Sequence, residues 1–276
     1  MSLRVGLVQF TAGDDPAANC EALLNYVNAA ADGGAHFVLT PEVSNIISSS
    51  RSRQEKVLHK QEDDPTLKAL IALAKARGIH LLIGSLALKS GGERFLNRSF
   101  LILPTGKVLA HYDKIHMFDV ALGNGESYRE SAQFQPGNRA VVADTDIGKI
   151  GLTICYDLRF PHLHRTLAKA GAQILTAPAA FTVPTGKAHW HTLLKARAIE
   201  TGCFILAPAM VGQHSPKRAT YGHSLVVSPW GEVLADGGTK QGVTFATLDL
   251  KLVQQARAKI PALSHDREFT LDHAQQ

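Results

Sequence analysis

The chain has 276 residues, 45% of them hydrophobic and 19% charged, with a formal net charge of +5, enough apolar material to bury a large core in one α/β domain or two smaller ones. No apolar run approaches the roughly 20 residues of a membrane span, and residues 1–10 lack the basic segment and small-residue cleavage site of a signal peptide, so a soluble, cytoplasmic protein is expected. Lysine and arginine are scattered without a basic block or interleaved aromatics, which argues against nucleic acid as a partner, and three distant cysteines (Cys20, Cys155, Cys203) offer neither a disulfide framework nor a Cys-x-x-Cys site.

Residues 4–10 read as a strand. Asp15-Pro16 then supplies an N-cap and a first-turn proline for a helix with Cys20, Leu23, Leu24, Val27 and Ala31 on one face, ended by Gly33-Gly34. Residues 36–42 form an apolar strand that stops at Pro41 and presents the carboxylate of Glu42 just beyond it. A polar linker leads to Asp64-Pro65, which starts a helix with Leu67, Leu70, Ile71 and Ala74 inward and Gly78 as its stop. Residues 79–85 are a strand. A hairpin of 99–103 and 108–112, turning at Pro104-Thr-Gly-Lys107, leads into Asp113-Lys114. From 115 to 135 the periodicity fails while Gly123, Asn124, Gly125, Glu126, Arg129 and Glu130 accumulate, the composition of a long loop over a site.

The stretch Gly148-Lys-Ile-Gly-Leu-Thr-Ile-Cys-Tyr-Asp-Leu-Arg-Phe-Pro161 carries one thiol, Cys155, from an apolar strand into a polar turn, and Pro161 then opens a helix through Leu163, Leu167 and Ala168. Such a strand-to-helix elbow holds a side chain at a sheet edge, near free N–H groups that favour a thiolate or an oxyanion. Gly171 stops the helix, 174–177 is a strand, and Pro178-Ala-Ala-Phe-Thr182 leaves it. A helix from about Ala188 carries Leu194, Arg197, Ala198 and Thr201, with Gly202 as its stop. Residues 204–207, 224–227, 233–235 and 243–248 read as strands, Ser228-Pro-Trp-Gly231 as a turn, and Asp249 as the cap of a final helix. Alternating strands and helices with late hairpins predict an α/β fold with mixed sheets. No repeat or linker divides it, so residues 1–276 read as a single domain.

Glu42, Lys114 and Cys155 all leave strands at their carboxyl ends, and they converge if those strands share a sheet. A thiol, a carboxylate and an ammonium suffice to attack an amide-like carbon. Glu42 would take the thiol proton, pass it to the leaving amine and later activate water. Lys114 and the Tyr156 N–H would hold the oxyanion, and Cys155 would carry the acyl group as a thioester. Each residue also has a common structural fate: a lone cysteine buried as a small hydrophobe, a glutamate and a lysine on the solvated surface. A Cys–His pair would need His116, His189 or His223, without papain-like context around Cys155. His162-Leu-His164 and His189-Trp-His191 suggest metal ligands, yet residues two apart on a helix point apart, and no His-Glu-x-x-His, GxGxxG or Walker loop is present. Neither a metal nor a cofactor is expected.

These residues match a pattern: the chain resembles the nitrilase superfamily of carbon–nitrogen hydrolases, in Leu39-Thr-Pro-Glu-Val43, His111-Tyr-Asp-Lys-Ile-His-Met-Phe-Asp119 and Gly151-Leu-Thr-Ile-Cys-Tyr-Asp-Leu-Arg-Phe-Pro161. The likeness runs from about residue 3 to 260. It implies a four-layer αββα sandwich, a homodimer or higher homo-oligomer packed through helices near the cysteine elbow, and a second glutamate before the cysteine strand. Glu130, in Tyr128-Arg-Glu-Ser131, matches that glutamate better than Glu126. Its implied role is to hold Lys114 or orient substrate. Tyr156 to Phe160, Ala188-His-Trp190, Arg197 to Glu200 and Arg218-Ala-Thr-Tyr-Gly-His-Ser224 are similar to the Nit subgroup, which implies an amidase acting on a small carboxylate-bearing amide: deaminated glutathione, or α-ketoglutaramate-like acids in an ω-amidase. N-carbamoyl compounds, nitriles and a non-catalytic scaffold are the alternatives. Arg159 is then a candidate carboxylate clamp, against a structural ion pair with Asp157, and Tyr156 and Phe181 are candidate pocket residues. Two departures stand out: Lys187 in place of the subgroup's proline, and the tail around His265-Asp-Arg267.

Overall fold

The computed structural model describes residues 2–123 and 126–274. β1 (Ser2–Gln9) leads to α1 (Pro16–Asp32), whose Ala17 N–H is met by the Asp15 carboxylate. β2 (Phe37–Leu39), α2 (Arg51–Val57), α3 (Pro65–Arg77) and β3 (His80–Lys89) follow, with Asp64 capping α3 and Gly78 ending it in the left-handed conformation at φ 62°. β4 (Phe95–Ile102) and β5 (Val108–Asp113) form the expected hairpin, and β6 (Asp119–Gly123) and β7 (Glu126–Arg129) a second one. β8 (Val141–Thr145), β9 (Gly148–Leu152), α4 (Pro161–Lys169), β10 (Ile174–Thr176), α5 (Val183–Thr201) and β11 (Phe204–Ala207) come next. The chain closes with β12 (Val211–Ser215), β13 (Arg218–Tyr221), β14 (Leu225–Val227), β15 (Val233–Asp236), β16 (Gly242–Asp249) and α6 (Lys251–Lys259).

Two six-stranded mixed sheets form, in the orders β16-β1-β2-β3-β4-β5 and β15-β14-β11-β10-β9-β8. Each has three parallel strands at its heart, β1-β2-β3 and β9-β10-β11, flanked by antiparallel partners. Alternation along the strands sorts their side chains between two cores. Val5, Leu7, Phe37, Leu39, Leu82 and Leu101 of the first sheet join Ile150, Leu152 and Ile174 of the second in one cluster, which continues to Leu163 of α4 and Trp190 of α5. Val8, Val38, Leu81 and Ile83 turn the other way, onto Leu23 and Val27 of α1 and Leu67 and Leu70 of α3. The layers are therefore αββα. Each such fully buried aliphatic side chain contributes about 1.5–3 kcal/mol, so both sheets are fixed on two faces.

The linker after Glu42 contains α2, capped by Ser50, and the segment expected to be one long loop is largely the β6–β7 hairpin, with Asn124 and Gly125 outside the described residues. Helix α5 begins five residues before Ala188, because Pro184 suits a first turn. Gly186 lets it approach β13: a Cβ there would meet the Tyr221 ring at 2.3 Å. The hairpin β12–β13 was not foreseen, since its residues are largely polar. On α1 the inward place expected for Cys20 goes to Asn19, whose amide bonds the Gly13 N–H and carbonyl and the Asn45 carbonyl. Asp249 accepts from the Lys251 N–H at the start of α6. In the divergent tail, Asp266 pairs with Lys169 and Arg165 of α4.

Candidate active site

The strands that deliver the candidate residues do not share a sheet. Glu42 follows β2 and Lys114 follows β5 in the first sheet, whereas Cys155 follows β9 in the second. β5 runs parallel to β2, since two antiparallel pairings separate it from β3. Convergence therefore arises because the stacked sheets bring carboxyl ends together across the sandwich.

Lys114 Nζ, 2% exposed, donates to Glu42 Oε1 at 2.8 Å and to both oxygens of Glu130, at 3.0 and 2.8 Å. Glu130 opens a short 3-10 turn after β7, and its Oε2 also accepts the Phe118 N–H at 2.6 Å. Glu42 Oε2 accepts the Ala180 N–H at 3.0 Å. A further residue, missed in the sequence, completes the group: Asn97 on β4 donates through Nδ2 to Glu42 at 3.0 Å and to Glu130 at 3.2 Å. The sequence offers no signal for it beyond a lone amide near the apolar Phe95, Leu96 and Phe100. Cys155 opens the 3-10 turn Cys155–Arg159 at φ 48°, with its N–H on the Pro178 carbonyl at 2.9 Å. Val43, next to Glu42, is also left-handed at φ 44°, a costly conformation for a β-branched residue. Two of the three non-glycine residues with positive φ among those described thus flank or form this site.

Burial raises the Glu42 carboxyl, but the Lys114 ammonium and hydrogen bonds from Cys155, Lys114 and Asn97 outweigh it and leave the group below its ordinary value. Burial disfavours the charged Lys114, yet Glu130, Glu42 and Cys155 hold it well above the usual lysine range. The Cys155 thiol is pushed well above its ordinary value by burial first and by Glu42 second, against Lys114. The resting sulfur is accordingly a protonated thiol beside a carboxylate, not the preformed thiolate that the elbow alone suggested. A thiolate beside Glu42 and Glu130 would be a third negative charge, more than one lysine offsets.

A buried carboxylate, Asp157, ties the lysine and cysteine segments together. It accepts from the Ile154 N–H at 2.8 Å, the Tyr112 hydroxyl at 2.7 Å and the His116 N–H at 3.1 Å, with His116 Nδ1 at 2.7 Å. Asp157 is thus engaged by His116 and Tyr112. Arg159 lies instead over the rings of Tyr156 and Phe181, at 5.9 and 5.7 Å, with Nη2 3.3 Å from His189 Nδ1. A cavity of about 750 Å³ holds Cys155, Glu42, Lys114 and Glu130 and is walled in part by Tyr156 and Phe181; Arg159 and Lys187 are not among its lining residues. The three histidines weighed as partners for Cys155 are engaged elsewhere, His223 with Asp236. Both doubted metal-ligand pairs lie on helices, α4 and α5. Among the described residues one cluster, His191, His223 and Asp236, brings ligand atoms within 4.8 Å of one another, away from the cysteine cavity's lining.

The carbon–nitrogen hydrolase family model matches residues 4–258. The chain belongs to the carbon–nitrogen hydrolase family. It is 37% identical to a deaminated glutathione amidase of Synechocystis over 94% of this chain and 96% of that protein. The crystal structure of Caenorhabditis elegans NitFhit superposes with a TM-score of 0.90 at 36% identity over 96% of this chain, which spans 65% of the NitFhit chain. Saccharomyces cerevisiae Nit3, a member of branch 10 of the nitrilase superfamily, gives 0.86 at 28% identity over 97% of both chains. This carbon–nitrogen hydrolase is therefore an enzyme of the nitrilase superfamily, Nit branch, with the αββα fold that the resemblance implied. No helix among the described residues is long and apolar enough to cross a membrane.

Proposed function

We propose that this carbon–nitrogen hydrolase is an amidase with Cys155 as nucleophile, acting on deaminated glutathione. The observation that carries the reading is the buried hydrogen-bonded group of Lys114, Glu42, Glu130 and Asn97 in the cavity that also holds Cys155. The substrate follows from the relatives named for that activity.

In the proposed cycle the amide carbonyl enters between Cys155 and Lys114. The thiol proton passes to Glu42 as sulfur attacks, so negative charge moves from carboxylate to sulfur and then to the oxyanion. Lys114 and the Tyr156 N–H hold that oxyanion. While Glu42 is neutral, Glu130 remains the counter-ion that keeps Lys114 charged. Glu42 then protonates the leaving amine, a thioester remains on Cys155, and Glu42 activates water to release the acid. Every step uses side chains and one backbone N–H of this chain, and no cofactor enters the scheme.

Deaminated glutathione would yield a 2-oxo diacid and cysteinylglycine, whereas α-ketoglutaramate would yield the same diacid and ammonia. Purified protein is therefore assayed for 2-oxo diacid release from both, with Cys155→Ala as control. Faster turnover of deaminated glutathione supports the reading. Faster turnover of the short amide makes the protein an ω-amidase, and full activity in Cys155→Ala removes the mechanism. We further propose that the whole chain acts as one domain, in the cytoplasm, as a homodimer or higher oligomer. Three free cysteines suit a reducing compartment, and Ile199 on α5 and Trp230 are 57% and 52% exposed, an apolar surface suited to a second copy.

A further inference from the structure

Three buried side-chain polar atoms among the described residues have no hydrogen-bond partner: Gln54 Oε1, Asn97 Oδ1 and Arg218 Nη1. All three residues line the cavity that holds Cys155. Buried polar groups are nearly always paired, so orphans gathered at one cavity mark groups held ready for a ligand. Asn97 belongs to the carboxylate cluster already described. Gln54 and Arg218 hydrogen-bond the Ser48 and Ala180 carbonyls, not that cluster's side chains, and they come from separate elements, α2 and β13.

Each is held by its other end. Gln54 Nε2 donates to the Ser48 carbonyl at 2.6 Å, which fixes the amide and leaves Oε1 as an acceptor. Arg218 Nη2 donates to the Ala180 carbonyl at 2.7 Å, and its guanidinium carbon lies 5.0 Å above the Tyr128 ring, which leaves Nη1 as a charged donor. The first orphan calls for an N–H or O–H, the second for an anion. Arg129 and Lys217 add positive charge to the same lining, while its carboxylates Glu42 and Glu130 are already bound by Lys114. A volume of about 750 Å³ admits a ligand of peptide size.

We propose that Arg218 and Gln54 form the leaving-group subsite, which recognises a peptide-like amine by its free carboxylate and an internal N–H. This rests on the amidase reading above. The acyl half of a 2-oxo acid amide carries no N–H, and the scissile N–H is committed to the reacting group at Cys155 and Glu42, so the donor for Gln54 comes from farther along the leaving group, where a dipeptide supplies both an N–H and a terminal carboxylate. Arg218 takes the carboxylate in a charge-assisted bond, its plane set beforehand by Tyr128 and Ala180.

Deaminated glutathione and α-ketoglutaramate test this directly, because they share one acyl group and differ in the leaving group, cysteinylglycine against ammonia. The ratio of their kcat/KM values falls about tenfold or more in Arg218→Gln and in Gln54→Leu, chiefly through KM for deaminated glutathione. An unchanged ratio, with both substrates losing equally or neither losing, overturns the subsite while leaving the amidase reading intact. A second measurement separates the two claims: calorimetric titration of Cys155→Ala protein with N-acetyl-cysteinylglycine. Binding that weakens about tenfold on adding Arg218→Gln upholds the subsite even if the unsubstituted protein hydrolyses neither amide, an outcome that removes only the substrate reading. Binding that ignores Arg218, or no binding, overturns the subsite.

Discussion

At Cys155 the sulfur is a neutral thiol, and the negative charge beside it sits on Glu42, which Lys114 and Asn97 hold below the ordinary carboxylate range. The pH dependence of kcat/KM follows from those two directions. As pH falls, activity is lost through protonation of Glu42, at a pH below its ordinary value of 4.5. As pH rises past neutrality no gain appears, because the thiol of Cys155 stays protonated beyond its ordinary 9.0. A profile flat from about pH 5 to 8 is the expected result. A rise with an apparent pKa between 7 and 9 would mean that a preformed thiolate attacks. Glu42, Lys114 and Cys155 stood out as candidates because each follows the carboxyl end of a strand, although each residue type also has a common structural fate. Asn97 did not, because one amide within a strand carries no spacing signal; only the fold brings it to two carboxylates.

Elements matter here through how closely they approach. Gly84 on β3 lies under the segment that ends in Glu42, and a Cβ there would stand 1.9 Å from the Thr40 carbonyl oxygen and 2.5 Å from Pro178. Both neighbours lie on segments of the site, one leading to Glu42 and the other receiving the Cys155 N–H. Gly84→Ala therefore displaces Glu42 relative to Cys155, and a shift of about 1 Å in such a group lowers kcat by about 100-fold. Circular dichroism close to that of the parent protein with this loss of kcat is expected; a kcat within twofold of the parent would show that the segment yields without moving the carboxylate. Helices α1, α3 and α4 were legible from proline starts, aspartate caps and glycine stops. Strands β12 and β13, which pair with each other, and helix α2 were not, since their residues are largely polar and show no apolar periodicity. The left-handed backbone of Val43 and Cys155 is invisible in sequence as well, because surrounding contacts, not residue preference, impose it.

For the whole molecule, the stacked sheets with helices on both outer faces fix global stability, and one buried group links it to pH. His164 on α4 is buried and neutral, with Nδ1 3.2 Å from the Phe160 carbonyl, and burial lowers its pKa from 6.5 to about 4. The unfolded chain thus binds a proton between those values that the folded chain refuses. Stability from this residue is present above pH 6.5 and is lost as pH falls toward 4, by about 3 kcal/mol in all. Urea midpoints measured between pH 7 and 4 should fall more steeply for the parent than for His164→Gln, in which an amide N–H can still reach Phe160; equal slopes would place the acid sensitivity elsewhere. The αββα architecture was foreseen from the family resemblance, whereas the origin of the convergent residues in two different sheets was not, because alternation along a chain does not say which strands share a sheet. In the proposed cycle the acyl group passes through Cys155. The most direct test is the intact mass of the protein, acid-quenched during turnover of α-ketoglutaramate or deaminated glutathione. The same added acyl mass is expected from either substrate, located on the Cys155 peptide and absent in Cys155→Ala. An adduct on another residue, or turnover that persists in Cys155→Ala, would contradict it.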